Sequence, residues 1–241
     1  MDEKINSFLS LLESEEAKES LGAGEKLKKI DKSNDKRLLG VILLSIVSMT
    51  VLGFFALGLT GSIIFFAIAV ISSFWLFYSS KKNMLLKYLS FYRTRVPKVI
   101  AMAEGVEVKA ENIPECDIIS SINEGKPAYR MCHRYGDLYV GFLKFIKNGE
   151  SVLQGIIYFT EGDDTSLFEE RLKEQISDFV IKSEDGKVLL FMPGFDDYLG
   201  GRIEHKDDLT ADSLLRQYKY YLLGDAFKKA VNGKDFQIPE L

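Results

Sequence analysis

The chain contains a long stretch without any charged residue or histidine, between Arg37 and Lys81. Two apolar runs, residues 38–57 and 63–78, fill most of it, and a short segment with two glycines separates them. A bilayer core takes about 20 apolar residues at a rise of about 1.5 Å each, so the stretch is roughly twice what one crossing uses. The sequence therefore predicts a two-helix transmembrane hairpin over residues 38–80.

Basic residues flank this stretch on both sides, whereas the connection between the two runs carries no charge. They are Lys26, Lys28, Lys29, Lys32, Lys36 and Arg37 before the stretch, and Lys81, Lys82, Lys87, Arg93, Arg95 and Lys98 after it. The positive-inside rule then predicts that both termini are cytoplasmic and that the tip of the hairpin just reaches the opposite face of the membrane. The aromatic residues at 74–78 are expected at the cytoplasmic headgroup level.

Outside the hairpin the chain divides by composition into three parts. Residues 1–37 form a cytoplasmic N-terminal arm, residues 81–104 a helical stalk, and residues 105–241 a cytoplasmic domain large enough to bury one core. The net charge of -4 averages an uncharged segment with polar ones, so it excludes little. In the reducing cytosol Cys116 and Cys132 are expected to be free thiols.

The arm begins with an amphipathic pattern, Ile5, Phe8, Leu9 and Leu12 at helical spacing. Such a short apolar stripe either docks on a partner or packs on the protein's own C-terminal domain, and an acidic polar face disfavours a role at an anionic lipid surface. The glycines at residues 21–24 predict a break in the helix and a hinge.

The stalk continues the helical period beyond the membrane. Leu85, Leu89 and Tyr92 mark its apolar side, and either the C-terminal domain or neighbouring subunits are expected to cover them. Pro97 is expected to kink or restart the helix, and Gly105 to end it.

Beyond Gly105 the pattern predicts an α+β domain with an antiparallel sheet, one face of which is covered by helices. A short helix is expected at 117–122. One β-hairpin is predicted at 138–160 with a turn at Asn148-Gly149, and a second at 179–192 around Asp185-Gly186. A helix starting with Ser166 and Glu169 in a capping box, and a last helix between Thr210 and Gly233, complete the pattern.

We find no grouping of residues that predicts catalysis, a cofactor or a metal. Cys132 and His133 are adjacent, so on a strand their side chains point to opposite faces, which argues against a shared metal ion or a nucleophile pair. The acids at 161–164 precede a helix start and are expected to cap it rather than to bind a cation. Nucleic-acid binding is not expected, because membrane flanking already accounts for the basic clusters.

The loop at 193–202 has the most distinctive composition of the domain. It contains a Gly-Gly pair and an arginine, but its glycines do not open a helix, so it does not fit a phosphate-binding loop. We interpret it as a structural turn, with contact to a partner as the alternative. Its candidate contact residues are Phe195, Tyr198 and Arg202.

The order of a short arm, a basic-flanked hairpin, a helix through residues 91–100 and an α+β domain resembles an uncharacterised bacterial family of two-pass membrane proteins. That family is encountered beside LemA-type membrane proteins. The short marks at 135–137 and 187–191 carry the local similarity. The resemblance implies a bacterial inner-membrane location and no enzyme activity or catalytic residues.

Two classes of function remain. The first is a non-catalytic, membrane-anchored scaffold or accessory subunit, whose partners are the lipid bilayer and either another protein or copies of itself. The second is an oligomeric effector or channel-like protein gated by its cytoplasmic domain, although neither apolar run contains a charge or a clear Gly-x-x-x-Gly packing face. An enzyme is the least supported class.

Overall fold

The computed structural model describes residues 1–114, 117–194 and 211–240, with the backbone alone for residues 22–32, 84–86, 88–93, 129–131 and 211–213. The chain forms two compact units. The sheet unit comprises Met1–Leu21 and Phe91–Leu241, and the apolar unit comprises Gly22–Ser90. The predicted stalk is thus divided between the two units.

Two helical elements make up the N-terminal part of the chain. Helix α1 spans Asp2–Leu12. Element α2 spans Glu15–Glu104 and consists of two helical segments that are separated by a kink with non-helical backbone angles at Leu57 and Gly58. The side chain of Ser14 caps the start of α2, and Gly105, with φ of 64°, ends it.

The predicted break of α2 at residues 21–24 is wrong, and of the two outcomes predicted at Pro97, a kink or a restart, the restart is wrong. The helix continues through the glycines at residues 21–24, because each helical glycine costs only about 1 kcal/mol. It also continues through Pro97 without restarting, since the backbone is helical on both sides. The predicted end at Gly105 is confirmed.

The described part of the C-terminal region contains six strands in one antiparallel sheet, which confirms the α+β class. They are β1 (Val108–Ala110), β2 (Lys126–Tyr135), β3 (Leu138–Lys147), β4 (Glu150–Glu161), β5 (Val180–Glu184) and β6 (Lys187–Pro193), and their order in the sheet is β1-β2-β3-β4-β6-β5. Three helices accompany them, α3 (Asp117–Ser120), α4 (Ser166–Lys173) and α5 (Ala211–Val231).

Both predicted β-hairpins are confirmed, together with their turns. Asn148 and Gly149 have φ of 54° and 83°, and Asp185 and Gly186 have φ of 51° and 71°. Two consecutive positive φ values are what a type I′ turn requires, and Asn-Gly and Asp-Gly accept them.

Strand β2 was not predicted, because Pro127 interrupts its pattern. In the structure Pro127 pairs with Phe145 of β3 on one side. On the other side β1 pairs only with His133, Arg134 and Tyr135, so the proline end of β2 lies at an edge of the described sheet. Proline is tolerated at such an edge because no ladder hydrogen bond needs its missing N–H.

Helix α4 is shorter than predicted and is capped differently. It ends at Lys173 instead of extending toward Phe179. The capping box is wrong, because the carboxylate of Asp164 accepts hydrogen bonds from both the backbone N–H and the hydroxyl of Ser166. These bonds lower the pKa of Asp164. Of the acids expected to cap the helix, Asp164 does so through the backbone N–H of Ser166.

The core lies on both faces of the sheet, whereas the sequence predicted one helix-covered face. Helix α5 packs on β3 and β4 from one side. On the other side the strand residues pack against Ile113, Ile118 and Ile119 of the segment around α3. Covering both faces explains why residues 155–160 of β4 are buried in succession instead of alternating.

Candidate functional site

The surface of the apolar unit is its most distinctive chemical feature. Among the described residues, the structure contains one helical region long and apolar enough to cross a membrane, Ser33–Asn83. An 18-residue stretch of it has a mean hydropathy of 2.5, and only 6% of that stretch is buried. Large side chains along it are open to the surroundings, for example Phe55 at 82%, Leu44 at 70% and Ile71 at 70% exposure. A core helix of a soluble domain would bury such residues, and exposed apolar surfaces of this extent are typical of contact with a membrane or with another protein.

The residues that are buried in the apolar unit are small. Gly53 and Gly61 are buried on either side of the interruption at Leu57 and Gly58, and Ala69 and Ser73 are buried further along. A Cβ atom on Gly61 would lie 2.2 Å from the carbonyl oxygen of Gly53, and one on Gly53 would lie 2.5 Å from that of Gly61. The two segments thus approach each other at a distance that only glycine permits, as in tightly packed membrane helices.

Sequence reasoning missed this seam of small residues because it looked for Gly-x-x-x-Gly within a single helix. The seam instead pairs Gly53 before the interruption with Gly61 after it. Gly61, Ala69 and Ser73 recur at multiples of four residues, which places them on one helix face. That spacing could have been found in the sequence.

A second contact lies at the other end of the two segments. The ammonium group of Lys81 forms an ion pair with the carboxylate of Asp35, and it also lies 5.5 Å from the centre of the Phe77 ring. Nearby Trp75 and Tyr78 expose 69% and 71% of their surface. Exposed amphipathic rings beside charged residues are typical of a membrane–water boundary.

The hydroxyl groups of the apolar unit hydrogen-bond backbone carbonyls. Thr50 donates to Ile46 and Ser72 donates to Ile68, each four residues earlier on its own helix. Ser62 donates to the carbonyl oxygen of Thr50 across the interruption, at 3.3 Å. These bonds satisfy polar groups that an apolar environment would otherwise penalise.

In the sheet unit, the N-terminal helix packs on the protein's own last helix. The Phe8 ring is 1% exposed and stacks on Tyr218 of α5, with centroids 4.1 Å apart. The Lys4 ammonium pairs with the Glu104 carboxylate, which also accepts a hydrogen bond from the Tyr218 hydroxyl. Burial and this carboxylate raise the pKa of Tyr218. Of the two predicted possibilities for the arm, packing on its own domain is confirmed.

Helix α5 is attached to the sheet by a buried tyrosine. The Tyr158 hydroxyl of β4 donates to the Tyr220 carbonyl at 2.9 Å, and its complete burial raises its pKa. Gly224 of α5 lies against the same ring, since a Cβ there would be 2.6 Å from it. This contact fixes α5 on the sheet.

A cleft of about 540 Å³ lies beside α1 and α5 in the sheet unit. Its lining includes Lys4, Asp225 and Lys229, which pair with one another across 3.8 and 2.7 Å. Arg171 also lines it and stacks on the Phe236 ring at 4.7 Å. The cleft is also lined by the N-terminal amine and by the carboxylates of Glu3 and Asp235, so positive and negative groups lie close together along its wall.

Cys132 and His133 lie on β2 and point to opposite faces of the sheet, as predicted. Cys132 joins the core against Ile113 and Leu143, whereas the His133 ring is near Tyr135, with centroids 6.5 Å apart. Burial raises the pKa of the Cys132 thiol to about 12, which keeps it protonated and unreactive at neutral pH. Within the described residues, no three His, Cys, Asp or Glu side chains come together as a metal site.

The predicted contact residues lie outside what the structure describes. The side chains of Leu85, Leu89 and Tyr92 are not among the described ones, although their backbone belongs to α2. Phe195, Tyr198 and Arg202 lie in the segment 195–210, and Cys116 also lies outside the described residues.

No family model, curated protein or solved structure matches this chain.

Proposed function

We propose that this protein is a non-catalytic, membrane-anchored scaffold or accessory subunit. Its apolar unit crosses a bilayer twice as a helical hairpin, and its α+β domain binds another protein at the cytoplasmic face. The observation that carries this proposal is the exposed apolar surface of Ser33–Asn83, which is long and apolar enough for a bilayer to cover it.

The contacts within the apolar unit support two crossings instead of one. Residues 38–57 span about 30 Å as a helix, which equals one hydrocarbon core. The ion pair between Asp35 and Lys81 links residues at the two ends of the region, and the approach of Gly53 to Gly61 links residues near its middle. Both contacts fit two antiparallel helices that turn back at Leu57 and Gly58.

The chemistry of the turn supports its placement at the far membrane surface. Reversal at Gly58 leaves backbone groups at two helix ends without partners inside the helix, and these need water or headgroups. The basic flanks of both helices then lie together on the other side, which by the positive-inside rule is the cytoplasm. The family resemblance adds the bacterial inner membrane as the location.

Partner binding is proposed for the stalk and for the loop at 193–202. The described surface of the sheet unit exposes few large apolar side chains, Val152 and Leu167 among them, because α1 already covers part of α5. The predicted contact residues Leu85, Leu89 and Tyr92 would bring a partner, or further copies of the chain, next to the membrane. A channel has less support, because Thr50 and Ser72 bond to their own helices.

The membrane part is tested with a reporter that works only in the cytoplasm. We expect fusions after Lys29 and after Leu241 both to be active, and a fusion after Thr60 to be silent. Activity in only one of the terminal fusions would rule out the hairpin.

The partner part is tested by the size of the complex purified in mild detergent, together with a cellular phenotype. Replacing both Leu85 and Leu89 by glutamate should reduce the size of the complex, because the substitutions would bury unpaired charge at the contact. Alanine at both Cys132 and His133 is the matched control and should leave function intact. Loss of function by the control, with normal folding and assembly, would indicate chemistry and contradict the scaffold.

A further inference from the structure

Four basic side chains lie together at the base of the apolar unit. The ion pair between Asp35 and Lys81 places these two residues at one level. Their neighbours Lys36, Arg37 and Lys82 lie within one residue or two of that level, and Lys87 lies about 9 Å further along the helix at about 1.5 Å per residue. All four of these side chains are exposed.

The described side chains at this level carry a net positive charge. Asp35 is already engaged by Lys81, and among the side chains that the structure describes none of the other four bases pairs with an acid. Such a group attracts anions, and guanidinium and ammonium groups donate several hydrogen bonds to phosphate oxygens. We name these four residues, Lys36, Arg37, Lys82 and Lys87, the basal cations.

The neighbouring surface indicates which class of anion the basal cations would bind. Trp75 and Tyr78, exposed and amphipathic, lie one to two helical turns from Lys82 on the apolar side. The sequence along the helix thus passes from open apolar surface through aromatic rings to cations. This matches acyl chains, the interface and headgroups of a bilayer in the same order, which an acidic segment of a soluble protein does not.

We propose that the basal cations bind the phosphate headgroups of anionic phospholipids, so that the hairpin enriches these lipids around itself. This proposal rests on the proposed membrane hairpin. The basal cations act on the lipids of the cytoplasmic leaflet, and the Asp35–Lys81 pair holds the two helices at one level so that cations from both contribute.

The single tryptophan of the chain provides the assay. The purified protein is reconstituted in vesicles that contain either brominated phosphatidylglycerol or brominated phosphatidylcholine, and quenching of Trp75 by each lipid is measured. At low salt we expect about a fivefold preference for the anionic lipid, the factor that corresponds to roughly 1 kcal/mol for a basic residue near an anionic surface. High salt should reduce it, because exposed charges are screened.

Glutamine at all four basal cations should bring the preference close to one while quenching by phosphatidylcholine persists. The matched control replaces four exposed lysines of the sheet unit by glutamine, Lys109, Lys126, Lys182 and Lys234, and should keep the preference. Equal quenching by both lipids in the natural protein, or a preference that survives in the four-glutamine variant, overturns the proposal. Absence of quenching by either lipid would instead refute the membrane hairpin itself.

Discussion

Alanine at Gly61 is expected to weaken the contact between the two helical segments of the apolar unit. The added Cβ would lie 2.2 Å from the Gly53 carbonyl oxygen and 2.6 Å from the Leu57 Cβ, well inside normal contact distance. The segments must therefore separate by more than about 1 Å. Overpacking of this kind costs about 1–3 kcal/mol, and the better helix propensity of alanine returns at most about 1 kcal/mol. We therefore expect the contact between the two segments to lose about 1–2 kcal/mol of its free energy.

Two other glycines of the same apolar stretch separate steric from backbone effects. A Cβ on Gly40 would meet nothing within 4 Å, so Gly40→Ala should be neutral or stabilising by up to about 1 kcal/mol. A Cβ on Gly58 also has space, but its φ of 63° and ψ of -147° belong to a region that glycine occupies almost alone. Gly58→Ala should therefore cost about 1–3 kcal/mol through backbone strain.

The assay follows the distance between the two segments. Spin labels on cysteines introduced at the exposed positions Arg37 and Lys82, with both native cysteines replaced, report the population in which the segments are together. As SDS is titrated into mild detergent, Gly61→Ala should lose this population at a lower SDS fraction than the natural chain, and Gly40→Ala at an equal or higher one. If Gly61→Ala and Gly40→Ala separate at the same point, the close glycine contact does not hold the hairpin together.

Three further predictions concern the sheet unit. Phe8→Ala should weaken the docking of α1 by about 3–5 kcal/mol, which is measured as faster hydrogen exchange in α1. Asn6→Ala, at an exposed position of the same helix, should leave the exchange unchanged, and equal exchange in the two variants would contradict the stacking on α5. Tyr158→Phe should cost about 0.5–1.5 kcal/mol in the free energy of unfolding, because it removes the bond to the Tyr220 carbonyl, and an unchanged denaturation midpoint would refute this. Burial raises the pKa of Cys132 from 9.0 to about 12, so the native thiol should resist alkylation near neutral pH, and rapid alkylation of the native protein would contradict this. The free energy of unfolding should also fall as pH rises from 9 toward 12, because the unfolded chain loses the thiol proton first.

Sequence patterns predicted those elements of the fold whose local chemistry is strong. The two Asn-Gly and Asp-Gly turns fixed both β-hairpins, and the apolar stripe around Phe8 fixed α1. The predictions failed where tertiary context overrides a local preference. Strand β2 was missed because it contains Pro127, and the sequence of a single strand does not show that the proline lies at an edge of the sheet. Pro97 did not restart α2, although a proline inside a helix usually costs stability.

The candidate site was predictable in its location but not in its detail. The charge-free stretch at 38–80 falls inside the apolar helical region Ser33–Asn83, because hydrophobic length can be read without knowledge of contacts. The glycine contact and the Asp35–Lys81 pair join residues 8 and 46 positions apart, and nothing in local spacing selects such pairs. The sequence identified Lys81 only as one of the basic residues that flank the apolar stretch. In the structure its ion pair with Asp35 also aligns the second helical segment with the first.

The packing of α1 narrows where a partner of this protein can bind. The sequence alone left the apolar stripe at Phe8 as one of the surfaces on which a partner could dock. Its ring is now stacked on Tyr218, and Lys4 beside it is held by Glu104, so the stripe is already used inside the sheet unit. A partner that displaced α1 would have to replace this contact, which costs more than binding an open surface. The proposed scaffold role therefore depends on the stalk and the loop at 193–202, both of which lie close in sequence to segments that the structure fixes.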